Sequence, residues 1–433
     1  MNKEIFGWLM YDFANSAFAT IILATLLPFY FIRYVAPNEI SFYFLGFKFT
    51  SYASALWGYA ISISMLLVAL FAPILGTISD FYYKRKRFLF FFCYLGCILT
   101  SLLYFVEIGD YWLAIFLFIS ANMAFALGNV FYNAFLKDIV SEKEMDLVSG
   151  KGFAYGYFGG GILLLFSLLI ISKYKSFGLS SQIMAIRISF IIVAIWWAVF
   201  SIPTFIFLKE KKGSIEPYDL STFFQTLKKI KHFKEALKFL IAFFFYNEGV
   251  QTVIALATVF VTNELLLDEI TLIEVLLFIQ FISIPTTILW GKIAKKIGTK
   301  KALIVILSLW LGIILYAYIM KRILEFWILG GMVGCILGGT QALSRSFYTL
   351  FIPKKHSAEF FGFYTISHKF AAIIGPFSFG LIHDITGNLR YSILFIAIFF
   401  ILGIIILITV NDKKLIRSFY EKDKNYYYFR ACN

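Results

Sequence analysis

Apolar runs of membrane-crossing length recur along the whole chain, separated by short polar connections rich in Lys and Arg. A helix needs about 20 mostly apolar residues to cross a bilayer, where no water satisfies unpaired backbone groups. Twelve spans are predicted, over residues 6–34, 54–79, 88–107, 111–136, 152–172, 186–208, 237–263, 272–291, 302–320, 326–350, 359–383 and 391–410. A strand barrel would instead show segments of about ten alternating residues. The first run is too long for the apolar core of a signal peptide, about 7–15 residues, and it carries Asp12 and Asn15. The expected fold is therefore an all-α membrane protein of twelve transmembrane helices.

The polar breaks repeat. GTISDFYYKRKR (Gly76–Arg87) joins spans two and three, and GKIAKKIGTKKA (Gly291–Ala302) joins spans eight and nine. YDFANS (Tyr11–Ser16) in span one has a counterpart in YNEGVQ (Tyr246–Gln251) in span seven. SGKGFAYGYFGGG (Ser149–Gly161) follows span four, while FFGFY (Phe360–Tyr364) and GPFSFG (Gly375–Gly380) follow span ten. These pairs divide the chain into a six-helix bundle at 1–208, a linker at 209–236, and a six-helix bundle with a basic tail at 237–433. Parallel six-helix repeats are the build of major facilitator transporters.

The first loop has a physical reading in such a fold. Gly76 permits close helix approach, and Asp80 can face the positive N-terminus of span eleven. Arg85 and Arg87 can pair with Asp138 or Glu142, which would lock one face of the bundle shut. The plain alternative is a basic cluster that only sets topology. The second loop carries Lys295 where the first has Asp80, and Lys295 is expected to repel the N-terminus of span five. An unequal gate follows, with the N-terminal copy dominant.

Composition agrees with a membrane protein: 61% hydrophobic and 15% charged, against roughly 45–50% and 25% for a soluble domain. The net charge of +14 suggests nucleic acid until the basic residues are placed. Of 39 Lys and Arg, 29 fall on one set of loops, 8 on the other, and Arg345 and Lys369 lie inside spans. That asymmetry orients both termini to the cytoplasm of a plasma-membrane protein that contacts anionic lipid. In the linker, Phe223, Phe224, Leu227, Ile230 and Phe233 recur at helical spacing opposite Lys228, Lys229, Lys231 and Lys234. This reads as an amphipathic helix on the inner leaflet, with a regulatory partner as the alternative. Cys93, Cys97, Cys335 and Cys432 lack metal-ligand spacing, and packing is their expected role. His232, His356, His368 and His383 do not cluster with Cys or carboxylates, although His368 adjoins Lys369 on a conceivable proton path. Gly159–Gly161 has no Lys-Ser/Thr after it, so no nucleotide loop is present. No enzyme, metal or cofactor is expected, and the protein is expected to be a monomer.

An ionisable group inside a span costs at least about 2.5–3.5 kcal/mol on insertion scales and is a functional candidate by default. Four lie well inside: Asp12 in span one, Glu248 in span seven, Arg345 in span ten and Lys369 in span eleven. Two negative and two positive charges can balance within the protein. Spans one, four, seven and ten line the central cavity of the major facilitator arrangement. They carry three of the four charges together with Asn15, Asn129, Asn133, Gln251 and Gln341. Each has a structural alternative. Asp12 can cap locally, Arg345 can snorkel, Lys369 can neutralise a carboxylate, and the amides can serve as interhelical glue. As functional groups, Asp12 and Glu248 can exchange a proton as alternating access changes their partners. Carboxylates also suit an ammonium, and Arg345 can clamp a carboxylate bidentately.

Six segments carry a family resemblance: YDFANSAF (Tyr11–Phe18), NVFYNAFLKDI (Asn129–Ile139), SGKGFAYGYFGGG, FLIAFFFYNEGVQT (Phe239–Thr252), GGTQALSRSFY (Gly338–Tyr348), and FFGFY with GPFSFG. They cover both halves in order, and the sequence resembles the vacuole-effluxer-like branch of the major facilitator superfamily in its bacterial form. The resemblance implies twelve helices and secondary transport of amino acids, especially neutral ones. The second basic loop departs from the superfamily pattern at Lys295. The expectation is a secondary transporter of a small polar organic solute, working by rocking of two halves. A non-transporting sensor or scaffold that uses the linker, and a lipid or drug exporter, are the alternatives. Cavity charges weigh against both.

Overall fold

The computed structural model describes residues 2–36, 39–44, 47–210, 233–265, 269–386 and 388–411. Helical segments stand along the predicted spans. Among the described residues, ten are long and apolar enough to cross a membrane. Helices Lys234–Leu265 and Ser357–Thr386 stand at spans seven and eleven. The structure adds one element outside the all-α expectation, an antiparallel hairpin between spans one and two. Its strands are β1 (Glu39–Phe44) and β2 (Phe47–Tyr52), with Glu39 opposite Tyr52 and Phe44 opposite Phe47.

Span one is not a continuous α-helix. It is α-helical over Lys3–Ala17 and π-helical over Phe18–Leu23. It restarts over Leu26–Tyr30 and ends π-helical over Phe31–Val35. At the break, the Thr25 hydroxyl donates to the carbonyl of Thr20 at 2.6 Å. π-helical turns mark functional segments more often than chance, and this one begins three residues after Asn15.

Large apolar side chains such as Leu66, Phe116, Ile206 and Leu324 stand exposed on the outside of the bundle, where lipid replaces water. Inside, Trp8, Trp197 and Trp310 are fully buried. Lipid is as apolar as these side chains, so close packing and interhelical hydrogen bonds hold the helices together. Glycines at Gly156 and Gly159 of span five bring that helix against Ser16 and Phe13 of span one; a Cβ at either position would collide. The two basic loops end alike: Lys86 donates through Nζ to the Leu208 carbonyl at 2.7 Å, and Lys300 to those of Ile408 and Val410, each at 2.7 Å. Each lysine thus satisfies open carbonyls at the end of the sixth helix of its half. Beside the first, half-burial lifts the Glu210 carboxyl above the usual range, although the Lys86 backbone N–H donates to it at 2.9 Å.

The halves meet through span two (Ala53–Phe81) against span eleven, and span five (Met145–Ser172) against span eight (Glu269–Ile297). Spans two and eight each hold an interior proline, Pro73 and Pro285. Gly362 of span eleven seats directly on Pro73.

Candidate functional site

Span ten (Ile323–Phe351) carries Arg345 in the segment GGTQALSRS, whose small residues let the helix approach its neighbours. The guanidinium has five N–H donors, and the structure gives it five hydrogen bonds. Nε donates to Ser149 Oγ at 2.9 Å, and Nη2 to the Ser149 carbonyl at 2.8 Å. Nη1 and Nη2 reach Asp12 Oδ2 at 3.3 and 3.4 Å, and Nη1 reaches Asn133 Oδ1 at 3.3 Å. Three rings surround it: Phe153 at 4.2 Å, Trp8 at 4.7 Å and Tyr132 at 5.7 Å from the guanidinium carbon to the ring centroid. All of these partners lie in the N-terminal half.

Asp12 and Arg345 are both buried. Trp8 sits one turn before Asp12 and is fixed by its indole N–H on the Tyr132 carbonyl at 3.0 Å. The ring of Tyr132 stacks on it at 4.6 Å. Gly152 completes the space, since a Cβ there would strike Asp12 Oδ2 and Arg345 Nη2. Removing one member of a buried pair of this kind costs about 3–5 kcal/mol, because the other charge is left uncompensated.

Farther along the spans, buried and half-buried polar side chains follow. Asn15 Nδ2 donates to Asn129 Oδ1 at 2.7 Å. Tyr157 OH donates to Gln341 Oε1 at 2.8 Å, and Gln280 Nε2 to Thr20 Oγ1 at 3.3 Å. The last two join the halves. Of the amides named from the sequence, Asn133 meets Arg345, Asn129 meets Asn15, and Gln341 meets Tyr157. Gln251 Nε2 reaches its own helix at Asn247 Oδ1, 3.5 Å away.

Glu248 is not part of this group. It is fully buried within the C-terminal half, where Oε1 accepts from the backbone N–H of Gly375 on span eleven. Oε2 has no hydrogen-bond partner among the described residues. The neighbouring Asn247 Nδ2 also has no partner among the described residues. The side chain of Lys369 lies outside the described residues, as do residues 211–232 of the 209–236 linker and with them most of its amphipathic helix.

At the loop end, Gly76 packs against Ala358 and Glu359, where a Cβ would meet backbone. Asp80 Oδ2 accepts the Glu359 backbone N–H at 2.9 Å, in the first turn of span eleven. Arg85 donates to Asp80 Oδ1 through Nε. Its Nη1 reaches Asp138 Oδ2 at 2.7 Å, and its Nη2 reaches the Lys354 carbonyl at 2.9 Å. Arg87 is exposed and lies outside this network, and Glu142 meets Lys137 at 3.7 Å rather than either arginine.

At the second loop Lys295 is exposed, where solvent screens its charge. Gly291 instead packs on the backbone of Asp146 and Leu147, as Gly76 packs on span eleven. Asp146, in the first turn of span five, accepts from the hydroxyls of Ser346 and Thr299, the latter at 2.7 Å. An acid is thus present at the second contact, supplied from across the interface. Asp146 was hidden in the sequence because a carboxylate in a polar loop needs no explanation. Trp8, Tyr132 and Phe153 were hidden by an aromatic content of 20%; their one signal is proximity to Asp12, Asn133 and the span-five glycines.

The chain matches solved transporters over nearly its whole length. It covers 94% of itself and 99% of the human organic anion transporter MFSD10 (TETRAN), with a TM-score of 0.70 at 13% identity. For the Major Facilitator Superfamily transporter FucP in its outward conformation, it covers 95% of itself and 98% of that chain, with a TM-score of 0.68 at 13% identity. The fold is that of a major facilitator transporter. The family model described as "Vacuole effluxer Atg22 like" matches residues 1–147 and 137–418. A Bacillus subtilis (strain 168) protein, "Uncharacterized MFS-type transporter YxiO", is 34% identical over 418 residues, covering 95% of both chains. The chain belongs to the vacuole effluxer Atg22-like family and is a multi-pass membrane transporter.

Proposed function

We propose that this protein is a secondary transporter of a small zwitterionic organic solute, of the neutral amino-acid class, moved by rocking of two six-helix units at 1–208 and 237–433. The observation that carries the reading is the buried Asp12–Arg345 pair, which joins the halves inside the membrane. Moving the halves apart separates opposite charges in a poorly hydrated place, and a scaffold has no use for such a cost. A zwitterion offers one group for each charge. The family's description as an effluxer supports transport of solute, and the positive-inside distribution supports a plasma-membrane protein with the Gly76–Arg87 loop in the cytoplasm.

In this reading Asp80, Arg85, Asp138 and Gly76 hold the cytoplasmic face shut at the first basic loop, and Asp146 does so at the second, on the same face. Glu248, with one carboxylate oxygen unpartnered among the described residues, would carry a coupling proton. Asn15, Asn129, Asn133 and Gln341 would contact solute as the cavity rearranges. The test is the melting midpoint of the purified protein with neutral amino acids, simple carboxylic acids and simple amines. A ligand of the native state raises the midpoint as its concentration exceeds its dissociation constant, by about 2.7 kcal/mol of stability at a hundredfold excess. Zwitterions should do so, and acids or amines alone should do so weakly. Equal silence from all three classes would count against this reading.

A further inference from the structure

We infer that the pocket around Asp12 is a binding site for an organic cation, and that Arg345 occupies it as an internal stand-in that the solute's cationic group displaces. The inference rests on the transporter reading above, and it adds where and how a cation is recognised. The pocket walls are Trp8, Asp12, Tyr132, Asn133 and Phe153, all in the N-terminal half, and the cation they hold comes from the other half.

Three observations make this a ligand site rather than a plain interhelical tie. First, among the described residues every hydrogen-bond and ring partner of the guanidinium lies across the interface, so any separation of the halves empties the pocket. Second, the emptied pocket is shaped and charged for a cation. Ring faces attract cations through their quadrupoles, more strongly once water is excluded, and the Asp12 carboxylate supplies the countercharge. Gly152 keeps the volume open, since a Cβ there would fill the place where carboxylate and guanidinium meet. Third, Asn133 and Phe153 are only half-buried, so the pocket is not sealed from the polar side chains beyond it.

An emptied pocket of this kind leaves a buried carboxylate without a partner, which is strongly unfavourable. Something cationic must replace Arg345. An ammonium or amidinium group does so with the same chemistry, and the freed guanidinium then accepts a carboxylate. The latch opens with no net loss of paired charge when one molecule brings both groups.

The test uses a planar cation, acetamidinium, against its neutral near-isostere acetamide. In Arg345→Ala, acetamidinium chloride should raise the melting midpoint saturably, while acetamide at equal concentration should not. Adding Asp12→Asn should abolish the effect. Phe153→Leu should weaken acetamidinium binding about tenfold, in the range of a desolvated cation–π contact. Arg345→Gln, neutral and similar in length, serves if the alanine variant does not fold.

A second measurement needs neither variant. Spin labels on exposed Lys143→Cys and Lys296→Cys report the separation of the halves at the loop face. Acetamidinium, and not acetamide, should increase the long-distance population. The inference is overturned if both probes act alike on the Arg345 variants, if Asp12→Asn leaves the response intact, or if the labelled protein responds to neither probe. Because these are binding and distance measurements, a failure of transport alone would leave them standing.

Discussion

Replacing Asp80 by Asn should open the loop face by a large and calculable amount. The carboxylate accepts one backbone N–H from the first turn of span eleven and pairs with Arg85. A hydrogen bond to a charged group contributes about 1.5–3 kcal/mol, and a carboxylate at a partly buried helix N-terminus gains up to about 2 kcal/mol more. Asn keeps an acceptor oxygen for the Glu359 N–H, so that donor is not orphaned, and Arg85 keeps Asp138 and the Lys354 carbonyl. The net loss from the closed arrangement is therefore about 2–4 kcal/mol, and at 1.4 kcal/mol per decade the open-to-closed ratio rises about 30- to 700-fold. Distance distributions between labels at positions 143 and 296 read this directly. Lys295→Asn is the matched control, because Lys295 is exposed. If Asp80→Asn gives the parent distribution, or if Lys295→Asn opens the face equally, the basic loops are topology signals and no more.

Other outcomes follow from the same contacts. Asp146→Asn weakens two hydroxyl-to-carboxylate bonds and should favour opening by about 1–2 kcal/mol, less than Asp80→Asn in the same distance measurement. Gly152→Ala drives a methyl between Asp12 and Arg345 and should lower the melting midpoint and enlarge the open population together. In proteoliposomes, Asp12→Asn and Arg345→Ala should each cut solute flux at least about tenfold, given the cost of leaving one charge of the pair buried alone. Glu248→Gln should retain exchange of solute between equal concentrations and lose accumulation driven by a pH gradient, since it removes a proton site rather than a link between the halves.

Much of the loop-end geometry is legible in the sequence, because Gly76, Asp80 and Arg85 stand at fixed offsets around a helix end. Those offsets alone place a small residue, an acid and a base on the neighbouring helix. The interior charges are legible as charges, but not as pairs. Two acids and two bases within spans permit several pairings, and only the tertiary structure brings Asp12 to Arg345 while leaving Glu248 with Gly375. Asp146 is illegible for a different reason: at the membrane edge a carboxylate costs little, so it carries no signal until its donors are seen. The hairpin at Glu39–Tyr52 has a signal that reading for spans passes over. ISFYF and FKFTSY are aromatic and β-branched runs separated by Leu45-Gly46, a pattern that favours paired strands.

The most direct measurement is flux through the unaltered protein in proteoliposomes, with labelled neutral amino acids and an imposed pH gradient. The account predicts protein-dependent accumulation of at least one such zwitterion, abolished by a protonophore, competed strongly by other zwitterions and only weakly by acids or amines lacking the second charge. Flux no greater than in protein-free vesicles across the whole neutral set, with the protein shown to be folded and inserted, would contradict it.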